Sequence, residues 1–235
     1  MLLLVSPIGV FLSGVYTEAL FLMLTLLTFW LLERERFVFG VLVAAVASLT
    51  RSVGVALFLP LLWYAWRGNT GARPYRVLLA FVPPLLFAGY ILLMGITVSD
   101  PLAYFSSYET TWGRSAGSPL EAFTAYFSGN PVSLFGWDVS WMDLVLTLFY
   151  LALTVILLRR EQTRSWGLFA LIALLVPIAT GSLLSMPRFG AVLFPFYILL
   201  GKWADRLPKQ MIVYGGSAAL ALLVLIRFVT WRWIA

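Results

Sequence analysis

Residues 77–98 read VLLAFVPPLLFAGYILLMGITV, twenty-two positions without a charged side chain. At a rise of about 1.5 Å per residue, a helix over that stretch crosses the roughly 30 Å of hydrocarbon in a bilayer. Stretches 139–158, 166–185 and 211–234 have comparable length and apolarity. Shorter apolar runs occupy 1–15, 18–32, 37–50, 52–66 and 190–207. Those at 18–32 and 37–50 reach only ~22 Å as helices, so each must thin the bilayer or open onto a cavity. The pattern predicts an all-α fold, a polytopic transmembrane helical bundle of about eight to nine membrane segments, the first incomplete.

Composition agrees with that reading. Hydrophobic residues make up 62% of the 235 positions and charged ones 11%, against about 25% charged in a soluble domain. A soluble enzyme, a disordered tail and a nucleic-acid binder are excluded on this ground, and the net charge of +6 fits positive loops at a membrane face instead. The chain has no Cys and no His. Thiolate chemistry, disulfides and the usual neutral-pH base are therefore absent. Acid–base work falls to Asp, Glu, Tyr, Lys or Arg, and no metal site is evident.

Loop charges orient the bundle. Arg34 and Arg36; Arg67, Arg73 and Arg76; Arg159, Arg160 and Arg164; and Lys202, Arg206 and Lys209 fall in alternate loops, eleven of the sixteen basic residues on one side. Arg51, Arg114, Arg188, Arg227 and Arg232 take the other side, together with Glu18, Asp100, Glu109, Glu121, Asp138 and Asp143. The positive-inside bias makes the first side cytoplasmic. Joining 37–64 into one long helix would bury Arg51 at the bilayer centre, at a cost of about 2.5–3.5 kcal/mol on insertion scales; a turn at Arg51 avoids it. Residues 99–138 form the one long external loop, rich in aromatics, with 119–128 (PLEAFTAYFS) reading as a short interfacial helix.

Charged residues beside apolar runs are the informative ones, because placing them there is costly. Three such clusters, Tyr16-Thr17-Glu18, Thr50-Arg51-Ser52 and Pro187-Arg188-Phe189, reach the same external face in this topology. Two guanidiniums and a carboxylate at one mouth suit a phosphate-bearing ligand, since Arg presents planar paired donors and stays charged when partly desolvated. Each has a plainer reading. Glu18 starts a helix, where Thr17 would serve as N-cap; Arg51 and Arg188 would snorkel to headgroups. Arg227 and Arg232, among Trp231 and Trp233, read as an interfacial belt, and Asp138 and Asp143 as a helix start.

The run from Ser6 to Phe21, SPIGVFLSGVYTEALF, resembles the P-(A/S)-x-x-F-x-S-x-x-Y-(T/S)-E-S-L-F signature of the PIG-V mannosyltransferases. That family is named for the enzyme that adds the second mannose to glycosylphosphatidylinositol anchors, and it has bacterial relatives. Thr50-Arg51-Ser52-Val53-Gly54 is similar to the family's T-R-S-N-G turn, and Pro187-Arg188-Phe189 with Phe194-Pro195 to its P-R-Y…F-P element. The likeness covers roughly 5–65 and 180–200, in family order. Val53 stands where the family has Asn, Ala19 where it has Ser, and Phe189 where it has Tyr.

The resemblance implies a GT-C-like glycosyltransferase that moves mannose, or a related hexose, from a polyprenyl- or dolichyl-phosphate sugar to the hydroxyl of a glycan or glycolipid acceptor at the external or luminal face. Tyr16, Glu18, Arg51 and Arg188 would bind substrate, the arginines clamping the lipid phosphate. No cofactor is implied; the lipid-phosphate sugar is the donor. The family's acidic base lies in a loop after an earlier span, so residues 1–235 would be a single transmembrane domain forming the C-terminal two-thirds of such an enzyme. The use of 14 Arg against 2 Lys suggests a GC-rich genome, and with it a bacterial plasma membrane rather than the endoplasmic reticulum. The alternatives are a non-catalytic membrane subunit, a truncated remnant, or a secondary transporter, the last expected to show a repeat and midplane ionisable groups; the sequence has neither.

Overall fold

The computed structural model describes residues 2–3, 6, 9–14, 16–68, 70–112, 117–124, 127 and 141–230. Arg114, Tyr126, Phe135, Trp137, Asp138 and the terminal Trp231, Arg232 and Trp233 lie outside the described residues, as does the side chain of Arg227. Among the described residues the architecture is all-helical, with no strand.

In the first half of the chain two helices coincide with the apolar runs 18–32 and 37–50, while the runs at 52–66 and 77–98 are each divided, and among the described residues of 1–15 only a five-residue helix forms. A short α1 (Gly9–Ser13) precedes α2 (Glu18–Glu33) and α3 (Phe37–Thr50), which pack on each other as an antiparallel pair. A 3₁₀ segment at Ser52–Leu57 leads into α4 (Phe58–Arg67), then α5 (Arg73–Ala80) and α6 (Val82–Val98). The backbone at Arg51 is extended, φ −148° and ψ 139°, so the chain turns there as expected. Buried hydroxyls in these helices are satisfied within the fold. Thr25 and Thr28 donate to the carbonyls of Phe21 and Leu24, and Ser48 donates to Ala45 and, across to the next layer, to the Pro83 carbonyl at 3.1 Å. Each would otherwise carry the cost of a buried, unpaired polar group.

The second half departs from the apolar pattern. Between α6 and the next long helix lie α7 (Ala103–Trp112), which periodicity did not suggest, and α8 (Pro119–Thr124), which covers the first six positions of the expected 119–128; positions 125, 126 and 128 lie outside the described residues. After α9 (Trp141–Arg159), the expected span 166–185 is a shorter α10 (Arg164–Ile178). Pro177 lies in its last turn, and Gly181 (φ 70°) and Ser185 (φ 63°) turn the chain in left-handed conformations. Left-handed backbone ends a helix however apolar its side chains are. The expected span 190–207 begins earlier, as α11 (Met186–Ala191), and restarts at α12 (Phe194–Trp203) behind Pro195, whose ring favours the first turn of a helix. The last helix is α13 (Leu207–Val229).

Among the described residues, two helical runs, Thr70–Val98 and Leu207–Ile226, are long and apolar enough to cross a membrane. Their large side chains point outward, with Leu85, Leu92, Leu93 and Ile96 on α6 and Met211 and Ile212 on α13 all exposed. The core lies between α2, α3, α4, α9 and α10, where Phe21, Leu57, Leu61, Phe169 and Leu174 are fully buried. At one end of the bundle the Arg67 guanidinium pairs with Glu161 at 3.0 Å, and Arg67 and Arg164 both sit 5.4 Å from the Trp63 ring. Two of the basic loops assigned to one face are thus neighbours in space. Near that set, Arg76 packs over Phe37 at the start of α3. At the foot of α13, the Lys209 ammonium donates to Asp205 at 2.8 Å, which holds that exposed carboxyl below its ordinary range.

Gly54 governs how the chain leaves α3. A Cβ on it would stand 2.6 Å from Ser48 Cα and closer still to the Ala47 carbonyl oxygen. These are backbone atoms that cannot swing aside. Gly54→Ala is expected to destabilise the protein by about 1–3 kcal/mol, the scale of overpacking, whereas Gly201→Ala, inside α12 with open space around its Cβ, should raise stability by up to about 1 kcal/mol through helix propensity. Thermal unfolding of the two purified variants in detergent checks the contrast.

Candidate functional site

Three segments that are distant in sequence end at one carboxylate. Glu18 is the first residue of α2, where the positive end of the helix dipole favours an anion. Thr17 precedes it in a right-handed helical conformation and makes no side-chain cap, so the expected N-cap is not formed. Its hydroxyl faces Arg51 Nη1 at 3.4 Å instead. Arg51 occupies the extended link between α3 and the 3₁₀ segment, a geometry fixed by Gly54, whose N–H donates to the Arg51 carbonyl at 2.8 Å. Arg188 is the third residue of α11. The left-handed Ser185 starts that helix, and its carbonyl accepts from the N–H groups of Arg188 and Phe189 at 3.0 and 3.2 Å.

Both arginines donate to the same oxygen of Glu18. Arg51 Nη1 lies 2.6 Å from Oε1, and Arg188 Nε donates to Oε1 as well. The Glu18 side chain is 0% exposed, while Arg51 keeps 11% and Arg188 22% of theirs. The second carboxylate oxygen, Oε2, is buried without a hydrogen-bond partner. The carboxylate therefore serves as a buried hinge, and the guanidiniums extend from it toward the surface.

Aromatic rings hold the two guanidiniums in place. Arg188 lies 4.9 Å from the rings of both Phe11 and Tyr16, which meet edge to face at 5.2 Å. Arg51 lies 5.6 Å from Phe189 and 6.0 Å from Phe21. Such contacts stabilise a cation by roughly 0.5–2 kcal/mol, more where water is excluded, and they limit how far each planar group can tilt. Tyr16, Glu18, Arg51 and Arg188, the four residues singled out from the sequence, are thus one cluster.

The supports behind α11 are residues that sequence reading missed. Tyr150 of α9 stacks on Phe196 at 5.3 Å and 5°, and its hydroxyl reaches the Pro187 carbonyl at 3.4 Å. Its ring lies so close to Gly190 that a Cβ there would overlap it. The Tyr197 hydroxyl donates to the Ala191 carbonyl at 2.7 Å and is 3.0 Å from the Ser6 hydroxyl. Together they fix the ends of the short helix that carries Arg188. The available signal was weak: a tyrosine within an apolar run reads equally as interfacial belt.

The segment between α7 and α8 meets the end of α10. The Gly117 N–H donates to the Ala179 carbonyl at 3.1 Å, and a Cβ on Gly117 would lie 3.0 Å from Gly181 Cα. Glu121 caps its own turn by accepting from the Ser118 N–H at 3.2 Å. Among the described residues, no group of three or more acidic side chains has the arrangement of a metal site. No protein-family model, curated protein or solved structure matches this chain.

The energetics of the cluster are asymmetric. Breaking a buried ion pair from one side costs about 3–5 kcal/mol, because a charge is left uncompensated, whereas replacing all members with apolar groups is often neutral. Glu18→Ala is therefore expected to lower stability by that amount. The triple change Glu18→Leu, Arg51→Met, Arg188→Met should recover most of the loss. Denaturant unfolding of the single and triple variants measures both.

Proposed function

We propose that this chain is a multi-pass membrane glycosyltransferase that uses a lipid-phosphate sugar as donor. The observation that carries the reading is the pair of arginines hung on buried Glu18, whose side chains keep 11% and 22% of their surface exposed. A guanidinium so held presents its remaining N–H donors in a fixed plane, the geometry that grips phosphate oxygens in pairs. The apolar outer faces of α6 and α13 support placing the cluster beside lipid tails, since exposed apolar patches of this extent are rare on soluble monomers. The likeness of residues 6–21, 50–54 and 187–195 to PIG-V enzymes supplies the sugar, mannose or a related hexose, and the external or luminal side of the reaction. The distribution of loop charge supports eight or nine crossings.

In the reaction, the acceptor oxygen attacks the anomeric carbon and forms the new glycosidic bond. The bond from that carbon to the phosphate oxygen breaks, its electron pair leaves with the lipid phosphate, and the acceptor's proton passes to a carboxylate base. Arg51 and Arg188 stabilise the charge that develops on the departing phosphate. Tyr16, exposed beside Arg188, lies where its hydroxyl meets donor or acceptor hydroxyls. Glu18 is a positioning residue. Protonating it would loosen both arginines, so the base is a different carboxylate.

The test is transfer from labelled polyprenyl-phosphate-mannose to endogenous acceptors in membranes expressing the chain. Arg51→Ala and Arg188→Ala are each expected to reduce transfer by about a hundred- to a thousand-fold, the scale for removing a donor to developing negative charge. Arg51→Lys should rescue only partly, because the paired donors are lost while the charge remains. Undiminished transfer in both alanine variants, at matched expression, would overturn the clamp.

A further inference from the structure

The phosphate-binding reading leaves open which kind of lipid phosphate the cluster selects, and the charges in it bear on that question. Two guanidiniums share one carboxylate, so the cluster carries a net charge of one positive unit. Glu18 is fully buried and both arginines contact the same oxygen, Oε1. The Glu18 side chain has no exposed surface, so the arginines are the partners that compensate its charge. An anion at the exposed edges of Arg51 and Arg188 therefore meets two positive charges with a fixed negative one immediately behind them.

On that reading of the site, we propose that Glu18 is a specificity-determining residue: as a built-in counter-anion, it matches the arginine pair to a phosphodiester bearing one negative charge and disfavours diphosphate-linked sugars, which bear two. A sugar joined to a lipid through a single phosphate is a monoanionic diester and brings the cluster to neutrality. A sugar joined through a diphosphate leaves one excess negative charge in a partly desolvated place, and burying unpaired charge is costly. The unpartnered Oε2 of Glu18 strengthens the effect, because no hydrogen bond disperses the charge on that side. The shared chemistry, a monoanionic phosphodiester, is found in glycosyl donors and also in phospholipid headgroups.

The test is equilibrium binding to the purified full chain in phosphatidylcholine nanodiscs. The probes are a short-chain prenyl phosphomannose, the prenyl diphosphomannose of the same chain length, and phosphatidylglycerol. The parent is expected to favour the phosphomannose over the diphosphomannose. Glu18→Gln keeps an acceptor oxygen for both arginines while removing the charge, and it should shift that ratio toward the diphosphate by about ten- to a hundred-fold, as one unit charge roughly 6–12 Å away implies at an effective dielectric near 20. The double variant Glu18→Gln, Arg51→Gln restores one net positive charge and should return the ratio toward the parent's, so the charge rule stays testable if the single variant folds poorly. An unchanged ratio in Glu18→Gln, or a double variant that keeps the diphosphate preference, would overturn the proposal. Equal competition by phosphatidylglycerol would support the charge rule while overturning the glycosyl-donor reading, and failure of the parent to bind either mannosyl probe would overturn both.

Discussion

A carboxylate without access to water, shared by two arginines from opposite halves of the chain, is the constraint around which the surrounding structure is arranged. Glu18 alone at the end of α2 would be an uncompensated buried charge, and each arginine alone beside an apolar run would be drawn to the headgroups. Brought together, they leave a single positive charge at the edge of the bundle. The assembly holds only if α2, the link after α3 and α11 end within a few ångström of one another. A displacement of any of the three would expose the others to the desolvation cost that their pairing offsets.

The neighbouring features enforce that meeting. Gly54 allows the chain to fold back against the α3 backbone and leaves Arg51 extended. Ser185 and Gly181 turn the chain sharply between α10 and α11, while Tyr150 and Tyr197 tie the ends of α11 to the helices around it. Phe11, Tyr16, Phe21 and Phe189 surround the guanidiniums with rings. Aromatic rings attract a cation without occupying its N–H donors. These turns, hydrogen bonds and ring contacts fix the charged side chains relative to one another.

Much of this was legible in the sequence, for reasons that differ between elements. Helices α2 and α3 coincide with their apolar runs because Glu18 and the residues 33–36 interrupt hydrophobicity at the points where the helices end. The late spans were misjudged because hydropathy does not register backbone: residues 166–185 are apolar enough to continue, yet Pro177, Gly181 and the left-handed Ser185 stop the helix. Arg51, Arg188 and Glu18 stood out because charge is expensive where they are placed, and topology alone set them on one face. That both arginines share one oxygen of Glu18, and that Tyr150 and Tyr197 brace the third element, depends on side-chain contacts between segments far apart in the chain, which spacing does not encode.

Glu18 and Arg188, 170 positions apart, are physically coupled. A double-mutant cycle on unfolding free energy, with Glu18→Gln, Arg188→Gln and the pair combined, tests this coupling most directly. Coupling of roughly 0.5–3 kcal/mol is expected for residues in one ion-pair network. Effects that add to within about 0.3–0.5 kcal/mol, the behaviour of separate sites, would contradict the shared carboxylate and with it the convergence of the three segments.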